Sequence, residues 1–149
     1  MKESETALKL FEEGLACSQA VLTAYAHHYG LSEEMALKLA CSFGGGMGRQ
    51  GLTCGAVTGA LMVLGLDAGR IDPGDDAARD KNDALVQRFF KRFRKKYNTL
   101  ICNELTGVEM ACPEARAKGK EEGIFQQVCP DVVGFAADLV TELLEIDAK

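Results

Sequence analysis

The segment 53-TCGAVTGALMVLGL-66 contains no charged residue and is apolar almost all round. A helix that is hydrophobic on every side is normally buried on every side, so other helices must surround it. Gly55 and Gly59, with Ala56 and Ala60 beside them, give this segment a small-residue face along which another backbone can approach closely. We therefore expect residues 53–66 to form a buried central helix.

Helical periodicity continues through most of the chain, without alternating strand patterns or an Asn-Gly or Asp-Gly hairpin turn. The pattern predicts helices over residues 4–13, 17–29, 76–97 and 130–146, a helix capped by Ser32, and short helices between 98 and 129. Residues 44–51 interrupt the pattern, and residues 118–123 are polar enough for a mobile loop. The fold class is therefore all-α, a bundle of about six or seven helices forming a single domain over residues 1–149.

Composition narrows the class of protein and its partners. The chain has 149 residues, of which 47% are hydrophobic and 26% charged, as in soluble globular domains. Its formal net charge of -5 disfavours binding to nucleic acid or to an anionic membrane surface. The N-terminus lacks a secretory signal, and the longest apolar segment, 56–66, is too short to span a bilayer. We expect a cytoplasmic protein without nucleic-acid partners or membrane insertion.

The six cysteines are the informative residues, because in a reducing compartment they indicate metal binding or redox chemistry. Five of them stand at or just before a predicted helix N-terminus: Cys17, Cys54, Cys102, Cys112 and Cys129. Helix N-termini favour the thiolate, which is the form that attacks disulfides and ligates metals. Cys41 falls inside a helix, where we expect a small buried hydrophobic residue.

The spacing of the cysteines limits the kind of site they can form. No C-x-x-C motif occurs, which argues against a zinc ribbon, a thioredoxin-type dithiol and a ferredoxin-type cluster. The C-x-x-C-H motif that attaches haem covalently is absent as well. Any site must be assembled from distant segments, as helix bundles assemble cofactor sites. We expect an acidified thiol at Cys54, which opens the buried helix and has Arg49 a few residues before it.

Several segments together resemble a family of redox-active proteins named for one Cys, a Cys-Gly-Ala-x-x-Gly motif and two further Cys. Residues 54–59, CGAVTG, match the motif, and residues 17–21, CSQAV, are similar to the first cysteine segment. Residues 43–49, FGGGMGR, are similar to the family's glycine-rich loop. Residues 102–107, CNELTG, and Cys129 with the helix after it are similar to the last two cysteine segments. The resemblance covers nearly the whole chain.

The resemblance implies a small helical protein whose redox site contains Cys17, Cys54, Cys102 and Cys129. Cys41 and Cys112 fall outside the family pattern. Domains of this kind joined to cytochromes imply an iron–sulfur centre. Gly55 in the motif and Arg49 in the glycine-rich loop are then candidate cofactor-binding residues.

Three hypotheses stay open for these four cysteines, which we expect to converge at one end of the bundle. They bind an iron–sulfur cluster for electron transfer or redox sensing, or two of them cycle between dithiol and disulfide without metal. The third alternative is a structural zinc site in an interaction module, which ranks below the others because zinc sites usually use closely spaced pairs. The sequence does not identify the redox partner protein, and it leaves open both an enzymatic activity and a homo-oligomer.

Three other motifs are interpreted structurally. Residues 46–51, GMGRQG, match the dinucleotide-binding motif G-x-G-x-x-G. Because a predicted helix rather than a strand precedes them, we interpret this segment as a tight turn and not as a dinucleotide site. Basic residues in 88–96 accompany a core stripe of phenylalanines near a helix C-terminus, which favours a solvated face. His27 and His28 are adjacent, hence expected on different faces of their helix and without a partner at ligand spacing.

Overall fold

The computed structural model describes residues 1–145, and within this part of the chain it contains eight α-helices, one short 3-10 helix and no sheet. The predicted all-α class is confirmed. The α-helices are α1 (Glu3–Glu12), α2 (Cys17–Ala26), α3 (Glu33–Cys41), α4 (Gly55–Ala68), α5 (Asp76–Tyr97), α6 (Cys102–Thr106), α7 (Pro113–Glu121) and α8 (Ile124–Leu144). The 3-10 helix, His27–Tyr29, directly follows α2.

The core is built around α4 and α2 together. The first six residues of α4 are all buried, as predicted, and the helix packs against α2, α5 and α8. Its last turns emerge from the core, with Leu66 39% exposed. Helix α2 contacts α1, α3, α4 and α8, and its Tyr25 hydroxyl donates to the Ala137 carbonyl of α8 at 2.6 Å. The buried centre is therefore a pair of helices, of which α4 is one.

The small-residue face of α4 allows another backbone to approach closely, as predicted. A methyl group at Gly59 would lie 2.8 Å from the Ser18 carbonyl oxygen, and one at Gly55 would lie 3.0 Å from the Ser18 backbone nitrogen. Backbone atoms cannot move aside as a flexible side chain can. These two glycines therefore allow α4 to lie directly on the backbone of α2.

Helix α5 begins and ends as predicted, and its basic run forms a solvated face. Phe89 and Phe93 are fully buried, whereas Arg88, Lys91, Arg92, Arg94, Lys95 and Lys96 are exposed. The apolar stripe holds the helix on the core, and the cations face water near the helix C-terminus, where they complement its dipole.

Two predictions in the C-terminal third are wrong. The last helix starts at Ile124 rather than Pro130, so Pro130 lies inside α8, and Ile146 lies outside the described residues. Gly123, at φ +73, is the N-cap of α8. The segment predicted as a mobile loop is mostly the end of α7, which continues to Glu121. Pro130 misled the interpretation because proline is common at helix starts. Inside a helix it removes one hydrogen bond and crowds the carbonyl four residues earlier, a cost that the packing of α8 must offset.

No helix in the described part of the chain is long and apolar enough to cross a membrane.

A cysteine-lined cavity as candidate functional site

One cavity of about 630 Å³ is lined by all four predicted site cysteines. It is lined by Cys17 at the start of α2, Cys54 before α4, Cys102 at the start of α6 and Cys129 within α8. Cys41 lines it too, at the exposed end of α3, so the expectation that Cys41 is buried is wrong. Cys112 is not among the lining residues; it caps α7, and its thiol donates to Glu114 at 3.3 Å.

Hydrogen bonds to α3 fix the position of Cys17. The Gln19 side chain accepts from the Ala16 N–H at 3.0 Å and donates to the Leu37 carbonyl at 3.0 Å. The buried Ser18 hydroxyl donates to the Ala40 carbonyl at 2.8 Å. A methyl group at Gly55 would lie 3.2 Å from the Cys17 Cβ, so the glycine after Cys54 brings α4 against the first cysteine.

Cys54 and Cys102 are joined through a single antiparallel bridge between Thr53 and Ile101. Cys54 is the N-cap of α4 and Cys102 is the first residue of α6, so both stand at helix N-termini as predicted. Two segments distant in sequence thereby present their cysteines to the same cavity.

Cys129 reaches the cavity in another way than predicted. It lies inside α8, five residues after the helix begins, and therefore not at an N-terminus. The helix macrodipole acts mainly within the first turn and gives little help to its thiolate. Its neighbour in the cavity is Cys17, with which it shares a hydrogen bond.

The glycine-rich loop also lines the cavity and has an unusual backbone. Five consecutive residues, 45–49, have positive φ, and two of them, Met47 at +68 and Arg49 at +61, are not glycine. L-residues normally adopt this conformation singly, and strain of this kind clusters at functional sites. The loop is fixed by backbone hydrogen bonds from Gly48 to Ser42 at 2.8 Å and from Leu52 to Gly46 at 2.9 Å.

Glycine is required at Gly46 for space as well as for conformation. A methyl group there would lie 2.6 Å from the Leu52 nitrogen and 2.8 Å from the Cys102 Cβ. The Gly-Gly-Gly-Met-Gly run indicated a tight turn, but five successive left-handed residues have no recognisable sequence signature. Helix α3 precedes this G-x-G-x-x-G match and the described residues contain no sheet, which agrees with a structural turn.

Burial makes most of these thiols weak acids. It raises the pKa of Cys54 to about 11, although the N–H groups of Ala56 and Val57 act in the opposite direction. It also raises the pKa of Cys102 to about 12. The predicted acidified thiol at Cys54 is therefore wrong, because the helix N-terminus and Arg49 do not offset desolvation.

The acidified member of the set is Cys129. Its hydrogen bond with Cys17 lowers its pKa, and the same bond, with burial, raises the pKa of Cys17. In this pair Cys17 is the donor, and Cys129 is the thiol that loses its proton first as the pH rises. Negative charge on Cys54, Cys129 or Cys102 raises the pKa of Cys17 further, since the four side chains act on one another electrostatically.

The sulfurs are not packed as tightly as a single-ion site needs. In the described residues, no three cysteine sulfurs lie within 4.8 Å of one another. Tetrahedral Zn–S bonds of about 2.3 Å place the sulfurs roughly 3.8 Å apart. An iron–sulfur cluster is bound by thiolates on several iron atoms, so its ligand sulfurs lie farther apart than those around a single ion.

Fold and cavity together define a small helical protein with a cysteine-lined cavity, in which the four predicted cysteines come from four different helices. The chain belongs to the family described as "Putative redox-active protein (C_GCAxxG_C_C)", whose sequence model matches residues 15–143. Neither the curated proteins nor the solved structures contain a match to it.

Proposed function

We propose that Cys17, Cys54, Cys102 and Cys129 bind one iron–sulfur centre, and that the protein transfers electrons or senses redox state through it. The observation that carries the proposal is the single cavity lined by all four cysteines. Four thiolates meet the ligand count of such clusters, which supply reversible electron transfer when bound. The electron donor or acceptor, a redox partner protein, stays a prediction, as does the cytoplasmic location.

The electrostatics of the metal-free cavity favour a cationic centre over free thiolates. Burial keeps Cys54 and Cys102 protonated at neutral pH, and each thiolate makes its neighbours harder to ionise. Four thiolates together in this cavity therefore require positive charge beside them. Binding of iron must release the thiol protons, so the affinity should fall as the pH is lowered.

Backbone N–H groups in the cavity wall are suited to thiolate or sulfide acceptors. Those of Ala56 and Val57 already favour the thiolate of Cys54. Those of Gly45 and Gly46 donate to no backbone acceptor among the described residues. Hydrogen bonds to cluster sulfurs are one means of setting the reduction potential. Arg49, in the same wall, adds a cation, and Gly55 gives the close approach to Cys17.

A structural zinc site is disfavoured by the spacing of the sulfurs. No three of them lie within 4.8 Å of one another in the described residues, wider than a single zinc ion requires. Forming such a site would need rotation or displacement of at least two cysteine side chains.

The hydrogen-bonded pair Cys17 and Cys129 favours thiol–disulfide exchange as a second candidate function. The Cys129 thiolate would attack a disulfide of a partner protein and release one partner thiolate. Cys17, losing its proton, would then attack the mixed disulfide and release the second. The net reaction oxidises Cys17 and Cys129 to a disulfide and reduces the partner's disulfide to two thiols.

Anaerobic purification followed by iron, sulfide and zinc analysis tests the first candidate. We expect about one cluster per chain, with visible absorption that disappears on exposure to a chelator. Cys54→Ser should lose the cluster. Cys112→Ser is the matched control, because Cys112 also caps a helix but does not line the cavity, and it should retain iron and sulfide.

The results distinguish the candidates. Iron and sulfide absent from the anaerobic protein and from protein reconstituted with both would overturn the cluster. Metal-free protein that then exchanges with a model disulfide, and loses this activity in both Cys17→Ser and Cys129→Ser, would support the second candidate. Zinc bound by all four cysteines would contradict both.

A further inference from the structure

A second group of metal-ligating side chains, Glu3, His27 and His28, lies outside the cysteine cavity. Their ligand atoms are all within 4.8 Å of one another. The sequence-based expectation that neither histidine has a partner at ligand spacing is wrong. The His28 Nε2 lies 2.8 Å from the Glu3 Oε1, and the two imidazole rings are 4.1 Å apart between centroids. The chain folds α1 back onto the end of α2, which sequence spacing does not reveal.

The Glu3 carboxylate is the unusual member of this group. It is only 3% exposed, and its Oε2 is buried without a hydrogen-bond partner. Buried carboxylates normally have several partners, and an unpaired oxygen calls for an ion or another explanation. A single neighbouring imidazole does not supply enough donors. This orphaned oxygen is an observation independent of the ligand spacing.

The surrounding charge and access both favour a cation. Glu3 also lines a cavity of about 360 Å³ with Lys2, Asp138, Thr141 and Glu142. Glu142 is paired with Arg92, which leaves the carboxylates of Glu3 and Asp138 against the single ammonium of Lys2. The side chain of His28 is 26% exposed and His27 is exposed, which leaves a path from solvent to the ligand atoms.

The donor set indicates which metal would bind. Two imidazole nitrogens and one carboxylate oxygen suit zinc and its neighbours in the first transition series, whereas magnesium and calcium prefer oxygen ligands only. We propose that Glu3, His27 and His28 form a binding site for a divalent transition-metal ion, zinc in the first place, which joins the start of α1 to the end of α2. Three protein ligands leave a fourth position for water.

This site is separate from the cysteine cavity and does not depend on the proposed redox function. Cys17 begins α2, whereas the histidines follow its last residue. The helix has 10 residues, which corresponds to roughly 14 Å between its ends at a rise of about 1.5 Å per residue. An ion at the histidines would therefore bind at the other end of α2 from the cysteines.

The test uses the histidine ring signals in the NMR spectrum of reduced, metal-free protein titrated with zinc. The chain has 2 histidines, so these signals report on this site even if zinc also binds to thiols. We expect both rings to shift together and to saturate, and magnesium to leave them unchanged. Histidine signals unmoved by zinc after the thiols are saturated would overturn the proposal.

His27→Gln provides the matched variant, because His27 is exposed and its loss should leave the fold intact. We expect the zinc affinity reported by the remaining His28 ring to fall at least about tenfold, as losses of metal-site partners commonly do. The rise in melting temperature that zinc causes through this site should then require at least about tenfold more zinc, with the metal-free melting temperature unchanged. A His28 ring that shifts at the same zinc concentration in both proteins would contradict the site.

Discussion

Cys54 and Cys102 occupy diagonal positions across one antiparallel bridge. The N–H of Cys54 donates to the Leu100 carbonyl at 2.8 Å, and the N–H of Cys102 donates to the Leu52 carbonyl at 2.6 Å. Diagonal residues of such a pair share one face, at a separation of about 7–8 Å between their Cα atoms. The bridge thus directs two helix N-termini, and two cysteines, toward the same cavity.

This diagonal arrangement predicts which disulfides metal-free protein can form. Disulfides require Cβ atoms about 3.5–4.5 Å apart, closer than diagonal positions offer. Mild oxidation should therefore link Cys17 to Cys129 and leave Cys54 and Cys102 as thiols. Peptide mapping under non-reducing conditions measures this directly. A predominant Cys54–Cys102 disulfide would show that the bridge does not hold the two segments in this register.

A pair of glycines in α4 tests the close packing of α4 on α2. Gly59→Ala places a methyl group 2.8 Å from the Ser18 carbonyl oxygen and should lower the free energy of unfolding by about 1–3 kcal/mol. Gly65→Ala, in the same helix, meets nothing within 4 Å and should raise it by about 0.5–1 kcal/mol. Urea unfolding under reducing conditions measures both. Equal effects of the two substitutions would contradict the close approach.

The sequence predicted the helices well where local signals are strong. Three local signals predicted helices or helix ends that the structure contains. They are the apolar residues all round 53–66, the stripe of phenylalanines in α5 and Gly30 after the second helix. Gly55 and Gly59 indicated close packing because no side chain there can hold another helix away. The last helix was misplaced because Pro130 is a local signal that packing of α8 overrides.

The site was only partly predictable because several of its properties depend on tertiary structure rather than on local sequence. Motif resemblance identified the four cysteines, but their acidity depends on burial and on which sulfurs are neighbours, and both are properties of the tertiary structure. Cys54 was expected to be the acidic thiol because of its helix N-terminus and the nearby Arg49, whereas Cys129 gains this property from Cys17. Likewise, 25 residues separate Glu3 from His28 in the sequence, and no local pattern joins them.

Among the proposed ligands Cys17, Cys54, Cys102 and Cys129, Cys129 should be the first to react as the pH is raised. Its pKa is lowered by the hydrogen bond from Cys17, whereas burial raises that of Cys54 to about 11. Alkylation rates followed by mass spectrometry at each cysteine, in metal-free protein across a pH series, give the order. Replacing the donor by Cys17→Ala should raise the pKa of Cys129, and Cys17→Ser, which keeps a hydroxyl donor, should raise it less. Identical titrations of Cys129 in the two variants would contradict the pairing.

The left-handed backbone conformation of Arg49 destabilises the folded protein, and a matched pair of substitutions can measure by how much. Its φ of +61 belongs to a run of five residues with positive φ, and L-residues pay roughly 1–2 kcal/mol in this conformation. Glycine avoids that cost but loses about 0.5–1 kcal/mol through the entropy of the unfolded chain. Arg49→Gly and Arg49→Ala both remove the guanidinium group of an exposed side chain, so they differ mainly in this strain.

We expect metal-free Arg49→Gly to be more stable than Arg49→Ala by up to about 1.5 kcal/mol in urea unfolding, the difference between the strain of the L-residue and the entropic cost of glycine. If Arg49 also acts as a cation beside the proposed centre, both variants should lower its reduction potential by the same amount, because both lose the same charge. Arg49→Ala as stable as Arg49→Gly would show that the left-handed backbone at this position is not strained. A reduction potential that changes in only one variant would assign the effect to the loop backbone rather than to the guanidinium charge.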